Sequence, residues 1–251
     1  MFTKIATRRR TRVRVLTGSI LAALAATYCT VTALDASAEV ADTRPNGVDV
    51  SSHQPAFDWP RAAAAGISFA YVKATEGVSY RNPRFASQYN GSYRAGMIRG
   101  SYHYARPDRS GGAAQADYFV AHGGGWSPDG RTLPGALDLE NTVGVQYCYH
   151  KTQPAMRAWI RDFVTRYHDL TGRWAVIYTR ANWWNDCTGR DAGVAVNSPL
   201  WLAHPGSAPG PMPAGWRTYS FWQRGLWNGV DLNTWNGSAT RLRAMACDGR
   251  C

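Results

Sequence analysis

Two carboxyl groups, those of Asp138 and Glu140, end a hydrophobic run in the segment 135–140. In a β-strand, residues two positions apart point to the same side, so both carboxyls would face one space. Such a pair suits acid-catalysed hydrolysis, because one group can donate a proton while the other stabilises positive charge. The chain has 14 Asp but only 3 Glu residues, so this Asp-x-Glu triplet is a modest signal that needs support from its context.

Two further acids, Asp49 and Asp231, stand inside apolar, strand-like segments near opposite ends of the chain. Closure of a barrel would bring these segments side by side, and the four acids would then share one pocket. A buried carboxyl without a partner costs free energy, so structural support through an ion pair, with Lys73 as the cation, is the alternative role. We expect Glu76, which precedes a glycine, to be structural or to anchor a loop.

Aromatic side chains surround the same predicted strand ends. The chain has 11 Trp and 13 Tyr residues, and flat aromatic faces suit the apolar faces of sugar rings. Most of these side chains are expected to pack the core, but their number favours carbohydrate as the ligand class. The candidates for substrate contacts are Tyr102, Tyr104, Tyr178 and Trp201.

Short β-rich runs alternate with helical patterns along most of the chain. The runs that predict strands are 47–52, 68–75, 98–105, 133–140, 174–179, 200–204, 219–224 and 230–235. The patterns that predict helices are 59–65, 83–95, 113–122 and 154–170. A glycine stands where each of these helices should end, and these glycines are Gly66, Gly96, Gly123 and Gly172.

This alternation predicts an α/β fold with parallel strands, because a crossover helix returns the chain to the same end of the sheet. After Thr179 the connections are rich in Gly, Pro and Ser and lack good helices. Five β/α units followed by three strands predict an irregular TIM-like barrel that fills a single domain. A doubly wound open sheet is the alternative, although no Gly-x-Gly-x-x-Gly loop supports nucleotide binding.

The first 38 residues have the layout of a secretory signal peptide, with six Lys or Arg residues, an apolar stretch over 15–34 and a small-residue Ala36-Ser37-Ala38 site. We therefore expect a secreted protein in which residues 39–251 form one catalytic barrel domain with a short C-terminal tail. An uncleaved membrane anchor is the alternative, weakened by several threonines in the stretch. A lipoprotein anchor at Cys29 is disfavoured because bulky Tyr28 precedes it.

The net charge limits the classes of partner that the protein is expected to bind. Removing residues 1–38 from a chain of formal charge +11 takes away six basic residues and one acid, which leaves 22 basic and 16 acidic residues, or +6. The remaining basic residues are scattered, which argues against a nucleic-acid surface and suits an anionic cell envelope. We expect a monomer that binds no nucleic acid and, once the signal peptide is cleaved, no membrane.

The histidines and cysteines give no indication of a metal site. The six His residues show no ligand spacing, and we expect neither a metal nor another cofactor. Four cysteines follow the signal peptide, and an even number in an exported protein favours two disulfides. These cysteines are Cys148, Cys187, Cys247 and Cys251.

Five segments, in order along the chain, resemble the motifs of the lysozymes of glycoside hydrolase family 25, the N-acetylmuramidases that cut bacterial peptidoglycan. The segments are Gly47-Val48-Asp49-Val50-Ser51, Val72-Lys73-Ala74-Thr75-Glu76-Gly77, Gly100-Ser101-Tyr102-His103-Tyr104-Ala105, Leu137-Asp138-Leu139-Glu140 and Val230-Asp231-Leu232-Asn233. The resemblance spans about residues 46–237 and implies an irregular barrel of five β/α units followed by three strands. It also implies that the four acids line the active site and that the substrate is peptidoglycan.

In such a site, Glu140 would be the general acid that protonates the glycosidic oxygen between N-acetylmuramic acid and N-acetylglucosamine, with a pKa raised by burial and by Asp138. We expect substrate assistance, in which the 2-acetamido carbonyl attacks the anomeric carbon and Asp138 orients it. A carboxylate nucleophile, which requires carboxyls about 5 to 5.5 Å apart, is the alternative. Asp49 and Asp231 would hold Asp138, sugar hydroxyls or water, and Tyr102 would contact the substrate.

The positions of the cysteines favour one pairing out of three. Cys148 and Cys187 follow the fourth and fifth predicted strands, on neighbouring loops at one face of the barrel, so a bridge between them would fix the rim of the cleft. Cys247 would then pair with Cys251, and this short loop would gain little entropic stabilisation.

Two other functions compete with the muramidase. A barrel that binds peptidoglycan or chitin without cutting it would not need both Asp138 and Glu140, since a lectin has no use for a proton donor. A chitinase is the second alternative, because Asp-x-Glu at a strand end also resembles family 18 enzymes. The longer acidic run that is typical of those enzymes is missing here.

Overall fold

Nine β-strands form one sheet in residues 44–251, the part of the chain that the computed structural model describes. The strands are β1 (Asn46–Val50), β2 (Ile67–Glu76), β3 (Tyr80–Arg81), β4 (Ile98–Tyr104), β5 (Ala136–Leu139), β6 (Val176–Thr179), β7 (Leu200–Ala203), β8 (Phe221–Trp227) and β9 (Val230–Trp235). All but the short β3, which pairs with the end of β2, correspond to strands predicted from the sequence. The predicted signal peptide lies outside the described residues, so it stays a prediction.

Helices connect the first six long strands. The helices are α1 (Trp59–Ala64), α2 (Phe85–Arg94), α3 (Gly112–Phe119), α4 (Gln153–Thr171), α5 (Ala181–Thr188) and α6 (Ala239–Ala246). The side chains of Asp58, Thr152 and Ser238 each accept a hydrogen bond from a backbone N–H in the first turn of α1, α4 and α6. Gly172 ends α4 in the left-handed conformation, with φ of 70°.

The sheet closes into a barrel because β1 pairs with strands from both ends of the domain. It is parallel to β2 and antiparallel to β9, and the order around the sheet is β1-β9-β8-β7-β6-β5-β4-β2, with β3 beside β2. Neighbours along the series β2-β4-β5-β6-β7-β8 are parallel, whereas β3 is antiparallel to β2, and β8 and β9 form an antiparallel hairpin. The predicted irregular barrel of five β/α units followed by three strands is confirmed, and closure excludes the open sheet.

Large aromatic rings fill the inside of the barrel. Tyr71 on β2 stacks on Trp201 on β7 with ring centroids 4.7 Å apart, and Phe221 on β8 meets Tyr71 edge-on at 5.5 Å. These side chains are almost fully buried. Since bulky rings occupy the interior, room for a ligand exists only toward the ends of the strands.

A second apolar layer lies between the sheet and the helices. Phe119 of α3 and Phe163 and Tyr167 of α4 are fully buried, and their rings lie roughly parallel to one another. The hydroxyl of Tyr167 accepts a hydrogen bond from the backbone N–H of Gly135, 2.7 Å away, just before β5. This contact fixes α4 against the strand that leads to Asp138.

Two helices differ from the sequence-based expectation. The C-terminal segment, for which the sequence predicts no helix, contains α6, whose Leu242 and Ala246 are buried against the aromatic rings of the barrel. Helix α5 follows β6 although its sequence, rich in Asn and Trp, has low helix propensity. Two of its own residues, Trp183 and Trp184, are buried and anchor it. No helix within residues 44–251 is long and apolar enough to cross a membrane.

Candidate active site

The four acids predicted to act together come from three strand ends. Asp49 on β1 lies directly opposite Asp231 on β9, because the two strands pair in that register. Asp138 lies on β5, and Glu140 follows the last residue of that strand. Parallel strands end at the same rim of a barrel, so closure brings residues from both ends of the domain to one place.

One cavity of about 250 Å³ collects these side chains. All eight residues predicted to be catalytic or to bind substrate line this cavity. They are Asp49, Asp138, Glu140, Asp231, Tyr102, Tyr104, Tyr178 and Trp201. The other lining residues are Val50, Ser51, His53, Gln54, Lys73 and Gln223. We call this space the central cavity.

Asp49 is held by two amide side chains. Its Oδ2 accepts hydrogen bonds from Nδ2 of Asn233, 2.7 Å away, and from Nε2 of Gln223, 3.1 Å away. Burial, followed by the negative charge of Asp231, raises the pKa of Asp49 to about 7, although both amide donors oppose this shift. No hydrogen bond joins Asp49 to Asp138 within residues 44–251. Of the alternative roles expected for Asp49, contact with sugar hydroxyls or water stays a prediction.

Asp138 is a buried carboxyl group without a protein partner. Its side chain accepts no hydrogen bond from the described residues, and its Oδ1 atom is completely enclosed. Burial, followed by the charge of Glu140, raises the pKa of Asp138 well above its ordinary value. An unpartnered carboxyl in a native interior is costly, so this group is suited to a partner that the substrate brings.

Glu140 is partly exposed at the mouth of the same cavity. Its backbone is anchored because the hydroxyl of Tyr149 donates to its carbonyl oxygen at 2.6 Å. Burial raises the pKa of Glu140; the positive charge of Arg180 opposes the rise, and the negative charge of Asp231 adds to it. A raised pKa keeps a carboxyl protonated at mildly acidic pH, as a proton donor requires.

The predicted aromatic contacts fall into two groups. The hydroxyl of Tyr178 donates to Oε1 of Gln223 at 3.0 Å, and Nε1 of Trp201 donates to Oδ1 of Asn233 at 2.7 Å. These two residues therefore orient the amides that hold Asp49. Tyr102, by contrast, has no hydrogen bond to its hydroxyl from the described part of the chain, so its hydroxyl is available to a ligand at the cavity wall.

The cation suggested as a partner for a buried aspartate pairs with a different acid. Nζ of Lys73 lies 2.7 Å from Oε2 of Glu76, and Arg106 reaches the other oxygen of Glu76 at 3.3 Å. Lys73 also lies over the ring of Tyr104, 4.5 Å from its centroid. Glu76 thus has the structural position expected for it, and Asp138 is left without an ion pair.

The chain is similar in sequence to a known family of hydrolases. Residues 48–225 match the model of glycosyl hydrolases family 25. Lysozyme M1 of Streptomyces globisporus is 50% identical over 207 residues, which cover 80% of this chain and 70% of that protein. The N,O-diacetylmuramidase of a Chalaropsis species is 47% identical over 206 residues, covering 80% of this chain and 98% of that protein. The chain belongs to glycosyl hydrolase family 25.

Solved structures of this family agree with the fold. The muramidase from Acremonium alcalophilum superposes with a TM-score of 0.80 at 50% sequence identity, covering 82% of this chain and 100% of that chain. The protein described here is accordingly a family 25 hydrolase with the family's barrel. Within residues 44–251, no group of three or more His, Cys, Asp or Glu side chains is placed to hold a metal ion.

Two disulfides accompany the family 25 barrel. Cys148 pairs with Cys187, and Cys247 pairs with Cys251, which is the arrangement favoured by the positions of the cysteines. The first bridge joins the segment after β5 to α5. The second closes a short loop after α6.

Sequence reasoning missed the amides of this family 25 site. Asn233 follows Asp231 by two residues on β9, so strand periodicity could have placed both side chains on one face. Gln223 lies among aromatic residues on β8 and carries no comparable signal. Arg180, whose positive charge acts on Glu140, was also missed, because nothing in its local sequence distinguishes it from other surface arginines.

Proposed function

We propose that this family 25 hydrolase is a secreted lysozyme that cuts the β-1,4 bond between N-acetylmuramic acid and N-acetylglucosamine in bacterial peptidoglycan. The names of its relatives, a lysozyme and an N,O-diacetylmuramidase, support this substrate class. The single observation that carries the proposal is the buried Asp138 carboxyl, which has no protein partner and shares a cavity with Glu140. We propose the catalytic roles of these residues on the same basis.

In the first step, protonated Glu140 gives its proton to the glycosidic oxygen as the bond to the anomeric carbon breaks. The carbonyl oxygen of the substrate's own 2-acetamido group forms the new bond to that carbon, which yields a cyclic, positively charged intermediate. The Asp138 carboxylate orients the acetamido N–H and stabilises the charge. Its burial makes that interaction stronger than it would be in water.

In the second step, Glu140, now a carboxylate, takes a proton from a water molecule that attacks the anomeric carbon. The acetamido carbonyl leaves, and Glu140 returns to its protonated form with the anomeric configuration retained. Asp231 contributes negative charge beside the developing cation, and Asp49 holds sugar hydroxyls or water. Tyr102 contributes a hydroxyl to the bound sugar.

The location and partners follow from the same proposal. Peptidoglycan lies outside the cytoplasm, so the enzyme must be exported, and the basic, apolar and small-residue segments of residues 1–38 suit that step. The two disulfides suit an oxidising compartment. A monomer is sufficient, because all the residues to which we assign a role belong to one chain.

The direct test is Glu140→Gln, measured by the clearing of bacterial cell-wall suspensions and by mass analysis of the released fragments. Loss of the proton donor should lower the rate by about 10² to 10⁴. Asp169→Asn, at an exposed position on α4, is the control and should keep full activity. Near wild-type clearing by Glu140→Gln would disprove the assigned role of Glu140.

The reaction products distinguish the muramidase from the chitinase and from the non-catalytic binding barrel. Fragments with N-acetylmuramic acid at the reducing end support the muramidase, whereas cleavage of N-acetylglucosamine oligomers alone would indicate a chitinase. Binding to walls by the wild type without release of fragments would indicate a non-catalytic binding barrel.

A further inference from the structure

A second cavity, of about 350 Å³, adjoins the central cavity at Glu140. Its walls include Arg180, Asn182 and Trp183, from the start of α5, and Tyr147 from the segment that carries the disulfide to α5. We call it the Arg180 cavity. Because Glu140 lines both spaces, a substrate bound for cleavage can reach the Arg180 cavity with a substituent.

Arg180 is an exposed cation without a counter-ion. No acidic group forms an ion pair with its guanidinium, and no hydrogen bond reaches it, within residues 44–251. Its charge acts on Glu140 at a distance and lowers the pKa of that group. A guanidinium in this state offers a planar set of N–H donors that matches a carboxylate.

Two neighbouring groups are also donors without acceptors. The indole Nε1 of Trp183 is buried and has no hydrogen-bond partner in the described chain, although Trp183 lines the cavity. The first turn of α5 has no side-chain cap, because the side chain of Arg180, the N-cap residue, accepts no hydrogen bond from its backbone N–H groups. Free N–H groups at a helix N-terminus favour an anionic ligand. A buried donor without an acceptor is costly, so the indole points to a ligand that supplies one.

We propose that the Arg180 cavity binds a carboxylate carried by the muramic acid unit of the substrate, and that Arg180 determines specificity for it. This inference rests on the proposed function. Muramic acid bears a lactyl group that ends either in a free carboxylate or in an amide bond to a peptide with its own carboxylates. N-acetylglucosamine has neither, so such a cavity separates peptidoglycan from chitin through charge as well as through shape.

The test is titration calorimetry with soluble glycan fragments of alternating N-acetylmuramic acid and N-acetylglucosamine. The protein carries Glu140→Gln, which prevents cleavage during the titration and removes the effect of Arg180 on the Glu140 carboxyl. Three preparations are compared. The first has intact peptides, the second has the same peptides with their carboxylates converted to methylamides, and the third has lost its peptides and exposes lactyl carboxylates.

If the peptide supplies the carboxylate, the first preparation should bind about tenfold more tightly than the second, as expected for a hydrogen-bonded charge pair. If the lactyl group supplies it, the third preparation should bind about tenfold more tightly than the other two. Adding Arg180→Gln should abolish the difference by weakening binding of the tighter preparation alone, and Arg180→Lys should restore part of it.

Equal weakening of all three preparations by Arg180→Gln would show a neutral contact and overturn the proposal, as would no weakening of any of them. Arg180 is exposed, so its substitution should leave the unfolding temperature unchanged. The proposed function fails separately, through an active Glu140→Gln variant or the absence of muramic acid at new reducing ends, neither of which involves Arg180.

Discussion

Asp49 shows how a strand can carry a carboxyl group in an apolar interior. Two amide donors hold one of its oxygens, and those amides are held in turn by Tyr178 and Trp201. Amide donors favour the charged form of a carboxyl group less strongly than a cation would. Burial therefore prevails over the hydrogen bonds, and the pKa of Asp49 rises to about 7.

This shift has a consequence for stability. The folded protein keeps a proton on Asp49 up to about pH 7, while the unfolded chain loses it near the ordinary pKa of 3.8. Between these values the folded state binds more protons than the unfolded state. The stability linked to Asp49 is therefore fully present below about pH 4 and is lost as the pH rises toward 7.

We expect Asp49→Asn to reduce this pH dependence. The asparagine carbonyl can accept the same two amide hydrogen bonds, and it does not titrate. Each proton that the folded state alone binds contributes a slope of about 1.4 kcal/mol per pH unit to the free energy of unfolding. Denaturant unfolding between pH 4 and 7 measures this slope, which should be smaller in Asp49→Asn and unchanged in Asp169→Asn. An unchanged slope in Asp49→Asn would show that Asp49 titrates normally.

For individual residues, the sequence predicts the acids of the site better than the side chains that surround them. Asp138 and Asp231 could be placed because isolated carboxyls in apolar strands are conspicuous and barrels collect strand ends. Gln223 and Arg180 could not, because their importance depends on which side chains lie across the barrel. Pairing of Lys73 with Glu76 instead of an aspartate likewise depends on side-chain geometry that a sequence pattern does not contain.

Among the elements, the segment 147–150 is the most strained part of the site. Cys148, Tyr149 and His150 have φ of 60°, 55° and 58°, a left-handed conformation that non-glycine residues rarely adopt. Such a segment persists only when its surroundings hold it. Here the disulfide to Cys187 and the hydrogen bond from Tyr149 to the carbonyl of Glu140 do so.

We expect removal of the Cys148–Cys187 bridge, by serine at both positions, to cost about 4 kcal/mol of unfolding free energy from loop entropy, since 39 residues separate the cysteines. The same change at Cys247 and Cys251, separated by 4 residues, is the matched control and should cost about 2 kcal/mol. Denaturant unfolding measures both.

Cell-wall clearing should also fall in the first double variant, because Glu140 loses the support of Tyr149, and stay unchanged in the second. Equal activity in both would show that the strained segment keeps its conformation without the bridge.

The elements also show where sequence patterns lose information. The eight long strands were predictable because runs of β-branched and aromatic residues are bounded by turn residues. The sequence of α6 contains a cap at Ser238 and an apolar spacing, but the helix has only 8 residues, so its local pattern does not predict it. Tertiary burial of Leu242 and Ala246 stabilises it as a helix.

For the molecule as a whole, α6 is part of the barrel core. Leu242 is 1% exposed and packs with the aromatic rings inside the barrel. Leu242→Ala should therefore lower the free energy of unfolding by about 3 kcal/mol through lost burial and the cavity that remains. Leu226→Ala, at a position that is 67% exposed, is the control and should change it by less than about 0.5 kcal/mol. Equal effects of the two changes would show that α6 does not dock.

The antiparallel pairing of β1 with β9 has a temporal consequence. Asp49 is among the first residues of the domain to be synthesised and Asp231 among the last, yet they face each other in one register. A nascent chain that has not yet reached β9 carries Asp49, Asp138 and Glu140 but lacks Asp231. If the four acids act together as we propose, hydrolysis requires the pairing of β9 with β1, which can form only after the last strand of the barrel has been synthesised.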